Sequence, residues 1–259
     1  AYRASVQQAA QLLANADALA QYDNFDYVIN DVTRDAFPPF APLAQQHTAA
    51  AVDWAENRHS AALARVCRNI HTGRVLLRSH NGLIDTMVGN AIVARNTALA
   101  AEMLAEQPAW ATHLPDNCAA AFAPFAHGEP NLCAAMQGEF RYFDSLMRNW
   151  LAGDAADEDE ASMDAKQLLQ NPVAHSLLFS PEHTRRLHAQ NLAHYCTAEN
   201  QAAVTQDRQP ENTPPAHNAR NIVLRPACWG NWIGCVLLDN DTANYNVYSE
   251  RLLDTAIDR

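Results

Sequence analysis

Four polar residues, Arg74, Arg78, Asn81 and Asp85, interrupt an apolar stretch running from Leu63 to Met103. Placed at 100° per residue they lie within about 60° of one another on a helix. Val66, Ile70, Leu77, Ile84 and Val88 flank that line on one side, and Leu76, Leu83 and Val93 lie mostly on the other, the pattern of a buried helix. Charge buried without partners is costly. The row must therefore be paired internally, or it must face a ligand or a partner chain. A guanidinium pair beside a carboxylate suits an anionic or zwitterionic ligand in a pocket between helices. Internal pairing instead predicts that Arg78 and Asp85 are buried in one network, so that Asp85→Ala strands an arginine.

Other chemistry-bearing residues form weaker constellations. His175, His183, His188 and His194 cluster near Tyr195 and Cys196, but their spacings do not match the i, i+4 histidine pair of a helical zinc site. No metal and no cofactor is expected. His71 lies one turn beyond Cys67 and can in principle activate a thiolate, although a buried cysteine beside a surface histidine is the commoner arrangement. Asp157 and Glu160 fall in an acidic run without apolar walls to raise a pKa. The chain has no G-x-S-x-G and no glycine-rich phosphate loop, so no residue is assigned as catalytic.

Near the C-terminus, Trp229 and Trp232 flank Asn231 in a glycine-bounded turn. Aromatics on such a turn either form an exposed recognition site or plug the end of a helical core. Phe37-Pro-Pro-Phe40 has the same two readings. Six cysteines are present. Cys118 and Cys133 flank one Pro/Gly-containing segment, and Cys228 and Cys235 flank the tryptophan turn, so each pair is expected to close a local loop. Cys67 and Cys196 are left to pair with each other or to stay reduced. Disulfides point to an oxidising compartment.

The elements that must position these residues read as helices. A first helix is expected over about 2–22, a second from near Leu43 to Ile70, and a third carries the polar row and ends before Pro108. Another spans about 132–151, with Met136, Phe140, Phe143 and Met147 at helical spacing. One helix starts at Pro172, another at Pro181 and reaches about Ala203, and a last begins near Thr242. Strand-like alternation is confined to 222–224 and 236–238, and glycine is scarce. The expected fold is all-α, an irregular multi-helix bundle of helical hairpins with little or no sheet. It forms a single helical domain over 1–259 with flexible segments near 153–165 and 205–218.

A formal net charge of -11 argues against nucleic acid as a partner, since neutralising phosphates needs a basic surface. Lys166 is the one lysine, and alanine is abundant, a composition typical of GC-rich bacterial coding. No run of eighteen residues is apolar and uncharged enough to cross a bilayer. The N-terminal segment is amphipathic rather than a signal peptide, which leaves open an anchor or leader ahead of residue 1.

The run from Ala62 to Leu104, together with Asn231-Trp-Ile-Gly234 and the segment 245–259, resembles uncharacterised, mostly helical, envelope-associated proteins of proteobacteria. That family often has Asn-Pro where this chain has Asn231-Trp232, and a basic residue where it has Cys235. The resemblance implies a helical fold and a periplasmic or cell-envelope location, and it supplies no catalytic residue. The leading expectation is a periplasmic or secreted protein-interaction module, an inhibitor, immunity protein or envelope-assembly component, binding another protein through Trp229, Asn231 and Trp232. The alternative is a small-molecule binding protein or enzyme with a pocket lined by Arg74, Arg78, Asn81 and Asp85.

Overall fold

The computed structural model describes residues 2–27, 38–126, 129, 132–152, 173, 177–206, 208 and 226–241. Among them ten α-helices and short 3-10 turns carry the chain, and no strand occurs. The fold is all-α, as the apolar periodicity predicts. The described residues gather into two compact units, the first running through Ala135 and the second from Met136 onward.

The first unit holds α1 (Tyr2–Gln8), α2 (Ala10–Ala18), α3 (Ala41–Ala55), α4 (His59–Arg78), α5 (Leu83–Glu106) and the short α6 (Cys118–Ala121). Its centre is α4, which buries Leu63, Val66, Cys67, Ile70, Leu76 and Leu77. The expected helix from Leu43 to Ile70 is two helices, α3 and α4. Between them Asn57 adopts φ 62°, a left-handed conformation that asparagine tolerates better than most residues. The Arg58 amide then bonds back to the Asp53 carbonyl at 2.9 Å. The first expected helix is likewise divided, with α2 following α1 and a 3-10 turn over Leu19–Gln21.

A larger correction concerns the polar row. It does not lie on one helix: the chain reverses at 79–82, and α4 and α5 form a helical hairpin. Gly82, at φ 149° and ψ -174°, occupies backbone space open mainly to glycine. At the crossing Gly73 faces Gly89, where an added Cβ on Gly89 would lie 2.6 Å from the Gly73 carbonyl oxygen. A half-buried network ties α2 and α3 to α4. The Arg65 guanidinium donates to Asp17 at 2.6 Å, Gln46 at 2.7 Å and Asp53 at 3.1 Å, and Arg68 donates to Asp17 at 3.0 Å. Gln46, 2% exposed, donates in turn to the Leu13 carbonyl.

In the second unit α7 (Leu132–Ala152), whose residues from Met136 on belong here, is followed by α8 (Pro181–Ala193), α9 (Ala198–Thr205) and α10 (Trp232–Asp241). Ser180 caps α8 by accepting from the His183 amide, and Thr197 caps α9 by accepting from the Asn200 amide. The second cap and the 3-10 turn before it divide the helix expected from Pro181 to Ala203. Phe143, Met147, Phe179, Ile233 and Leu238 form the core, with Leu187 and Leu237 against it.

Two disulfides are Cys67–Cys118 and Cys228–Cys235, with Cα separations of 5.0 and 5.9 Å. The local Cys228–Cys235 loop is the expected one. Cys118 does not bond Cys133, because the chain after α5 lies along α4 and brings Cys118 to the middle of that helix. Cys133 and Cys196 are also disulfide-bonded, and no cysteine is free. Cys67 is thus oxidised and cannot form a nucleophile with His71. The acidic run 153–165, most of 205–218, the helix expected from Pro172 apart from its residues 173, 177 and 178, and the last helix with Tyr245 and Tyr248 fall outside the described residues.

Candidate functional site

The hairpin scatters the polar row. Arg74 leaves α4 toward the segment after α6 and spends its donors there. Its Nε and one terminal nitrogen hold the Glu129 carboxylate at 2.9 and 3.0 Å. The two terminal nitrogens also donate to the carbonyls of Ala120, Ala121, Ala123 and Pro124 at 2.7 to 3.2 Å, and the guanidinium carbon lies 5.3 Å from the Phe125 ring centre. Glu129 is buried and also accepts from the Ala126 amide. A bidentate arginine saturated in this way is a clamp on the 120–129 segment and offers nothing to a ligand.

Arg78, at the end of α4, is exposed, whereas Asp85 is fully buried, so the expected Arg78–Asp85 network does not form. Asp85 sits in the first turn of α5, and among the described residues no cation pairs with it. The Tyr27 hydroxyl reaches its Oδ1 at 3.4 Å. Asn81, in the turn, accepts from the Tyr27 amide at 3.3 Å and donates to the Phe25 carbonyl at 3.1 Å. Among the described residues, Oδ2 of Asp85 and the buried hydroxyl oxygen of Ser79 have no hydrogen-bond partner. Burial pushes the Asp85 carboxyl up to about 6, against the opposing hydrogen bonds of Asn81 and Tyr27. Asn81 and Asp85 together hold the strand of chain around Phe25 and Tyr27 against the hairpin turn.

In the second unit the tryptophan turn has a different character. Trp229 is 71% exposed and Trp232 is 43% exposed, while Asn231 between them is completely buried. The Asn231 Oδ1 accepts from the Ser180 amide at 2.8 Å and the Thr184 hydroxyl at 3.0 Å. A Cβ on Gly234 would lie 2.0 Å from the Thr184 hydroxyl oxygen, so glycine at 234 is what allows α8 and α10 to meet there. The Cys228–Cys235 bond closes the same turn. Two of the three residues are thus presented to solvent, and the third is the latch that fixes their backbone.

Of the histidines, His188 is 1% exposed, with Phe140 and Phe143 ring centres at 6.1 and 4.1 Å. Burial pulls its pKa down to about 4. Among the described residues no group of three or more His, Cys, Asp or Glu side chains is placed to hold a metal ion.

Two cavities in the first unit have no sequence signature. One, of about 290 Å³, is apolar and lies among Leu12, Leu19, Phe25, Phe40 and Leu76. The other, of about 280 Å³, lies between α3 and α5 and includes His47, Arg95 and Asn96. Neither is lined by Arg74, Arg78 or Asp85. Residues from helices some fifty positions apart carry no local spacing that would have exposed them. Phe40 packs beside the core of Ala16, Leu43, Leu76 and Ile92, which makes it an internal plug; Phe37 is outside the described residues.

No protein-family model, curated protein or solved structure matches this chain.

Proposed function

We propose that this chain is a protein-interaction module of an oxidising compartment, periplasmic or secreted, and that it binds its partner through the turn carrying Trp229 and Trp232. The observation that carries the reading is the exposure of both rings on a backbone fixed from beneath by Asn231 and closed by Cys228–Cys235. Large aromatics on a rigid turn supply contact area at little entropic cost, the property of interface hot spots. The compartment is supported by the oxidation of every cysteine. No catalytic role is proposed.

Site-specific photo-crosslinking tests this reading. A photoreactive phenylalanine replaces Trp229 in the chain expressed in its own host, and a control carries it at the exposed Leu114 of the first unit. A discrete protein adduct at position 229 and none at 114 is the expected result. No adduct at 229, or the same ladder from both positions, contradicts it.

A further inference from the structure

The cavity between α3 and α5 differs from a packing defect in the polar groups it keeps. Asn96 is 2% exposed, and its Nδ2 donates to the Ile92 carbonyl at 2.8 Å. Because that carbonyl can only accept, the amide's other end is fixed as the acceptor, and among the described residues nothing donates to the buried Oδ1. An orphaned buried acceptor costs stability unless a donor reaches it. Beside it Arg95 is exposed, and among the described residues no hydrogen bond or ion pair engages its guanidinium, although acids outnumber bases in this chain. His47 faces Arg95 from α3. Burial first, and the Arg95 charge second, hold its pKa below the usual histidine value, against the raising influences of Glu102 and of a hydrogen bond to the Arg95 backbone. Phe40, Leu43, Val88 and Ile92 supply apolar walls.

We propose that this cavity is a binding site for a small apolar carboxylate bearing a hydroxyl or amino donor on the carbon next to the carboxyl group. The carboxylate meets Arg95, the donor meets Asn96 Oδ1, and the apolar side chain lies against Phe40, Leu43, Val88 and Ile92. A volume of about 280 Å³ is at the small end of ligand sites. Such a site accommodates a molecule the size of an amino or hydroxy acid. The site is separate from the tryptophan turn and stands or falls independently of it.

Calorimetric titration of the full chain tests it with three probes of one shape: 2-hydroxy-4-methylpentanoate, L-leucine and 4-methylpentanoate. At least one donor-bearing acid should bind, and 4-methylpentanoate should bind about tenfold more weakly, since it leaves Oδ1 unmet. Which of the first two binds more tightly identifies the donor. Arg95→Gln, at an exposed and unpaired position, should keep the unliganded melting temperature and weaken binding by about tenfold or more. Ala91→Phe, which fills the cavity from its rim, should abolish it. Absence of heat from both donor-bearing acids up to about 10 mM overturns the proposal. So does an affinity unchanged in Arg95→Gln or Ala91→Phe, and equal binding of all three probes overturns the role of Asn96.

Discussion

Gly73 and Gly89 meet at the crossing of α4 and α5, where a methyl on Gly89 would lie 2.6 Å from the Gly73 carbonyl oxygen and 2.9 Å from the Leu77 amide nitrogen. Both near neighbours are backbone and cannot turn away. Gly89→Ala gains about 1 kcal/mol of helix propensity. Forcing the two backbones apart costs more, and we expect a net loss of about 2 kcal/mol in urea unfolding. An unchanged or raised midpoint would show that the hairpin is looser than described.

Arg74 and Glu129 form a buried pair whose removal on one side leaves the other uncompensated. Arg74→Ala also frees four carbonyls. It should lower stability by about 3 to 5 kcal/mol, whereas Arg78→Ala, at an exposed position with no such partners, should change it by less than about 0.5 kcal/mol. Equal effects from the two arginines would contradict the separation of the row.

Asp85 and His188 give opposite pH dependences in one window. The folded Asp85 carboxyl, at about 6, lies above its ordinary 3.8. The native state therefore holds the proton more tightly, and the stability it contributes is full below pH 3.8 and lost as pH rises toward 6. His188, at about 4, lies below its ordinary 6.5. Its contribution is full above pH 6.5 and lost as pH falls toward 4. Melting curves from pH 4 to 6.5 should therefore fall less with rising pH in Asp85→Asn than in the wild type, and rise less in His188→Phe. Parallel curves for the wild type and both variants would refute these assignments.

The disulfides are tested by mapping non-reduced peptides. Cys67 should be found linked to Cys118, and Cys228 to Cys235. The first spans 51 residues and the second 7, so replacing each pair by alanine should cost about 4 and about 2.5 kcal/mol on the chain-entropy account. A Cys118–Cys133 peptide would restore the local pairing.

Apolar periodicity marked where helices lie, and α7 was legible almost to the residue: expected over about 132–151, it runs from Leu132 to Ala152. Periodicity says less about where one helix stops and the next begins, since both bury an apolar face on the same core. The breaks are written in short polar signals that a long apolar pattern outweighs. Asn81-Gly82 is a turn dipeptide, Asn57 is suited to a left-handed φ, and Thr197 is a helix cap. Reading Asn81-Gly82 as a turn would have taken Arg74 and Asp85 off a common line. The pairing of Cys67 with Cys118 and the meeting of His47 with Arg95 depend on tertiary approach, which no spacing along the chain records.

The proposed role of the tryptophan turn is tested most directly by Trp229→Ala/Trp232→Ala, measured for both partner capture and thermal unfolding. We expect the partner crosslinked through position 229 to be lost from pull-downs, with the melting temperature within about 2 °C of wild type, because both rings face solvent. Retained capture of that partner, or a melting temperature lowered by about 8 °C or more, as for loss of core packing, would contradict the account.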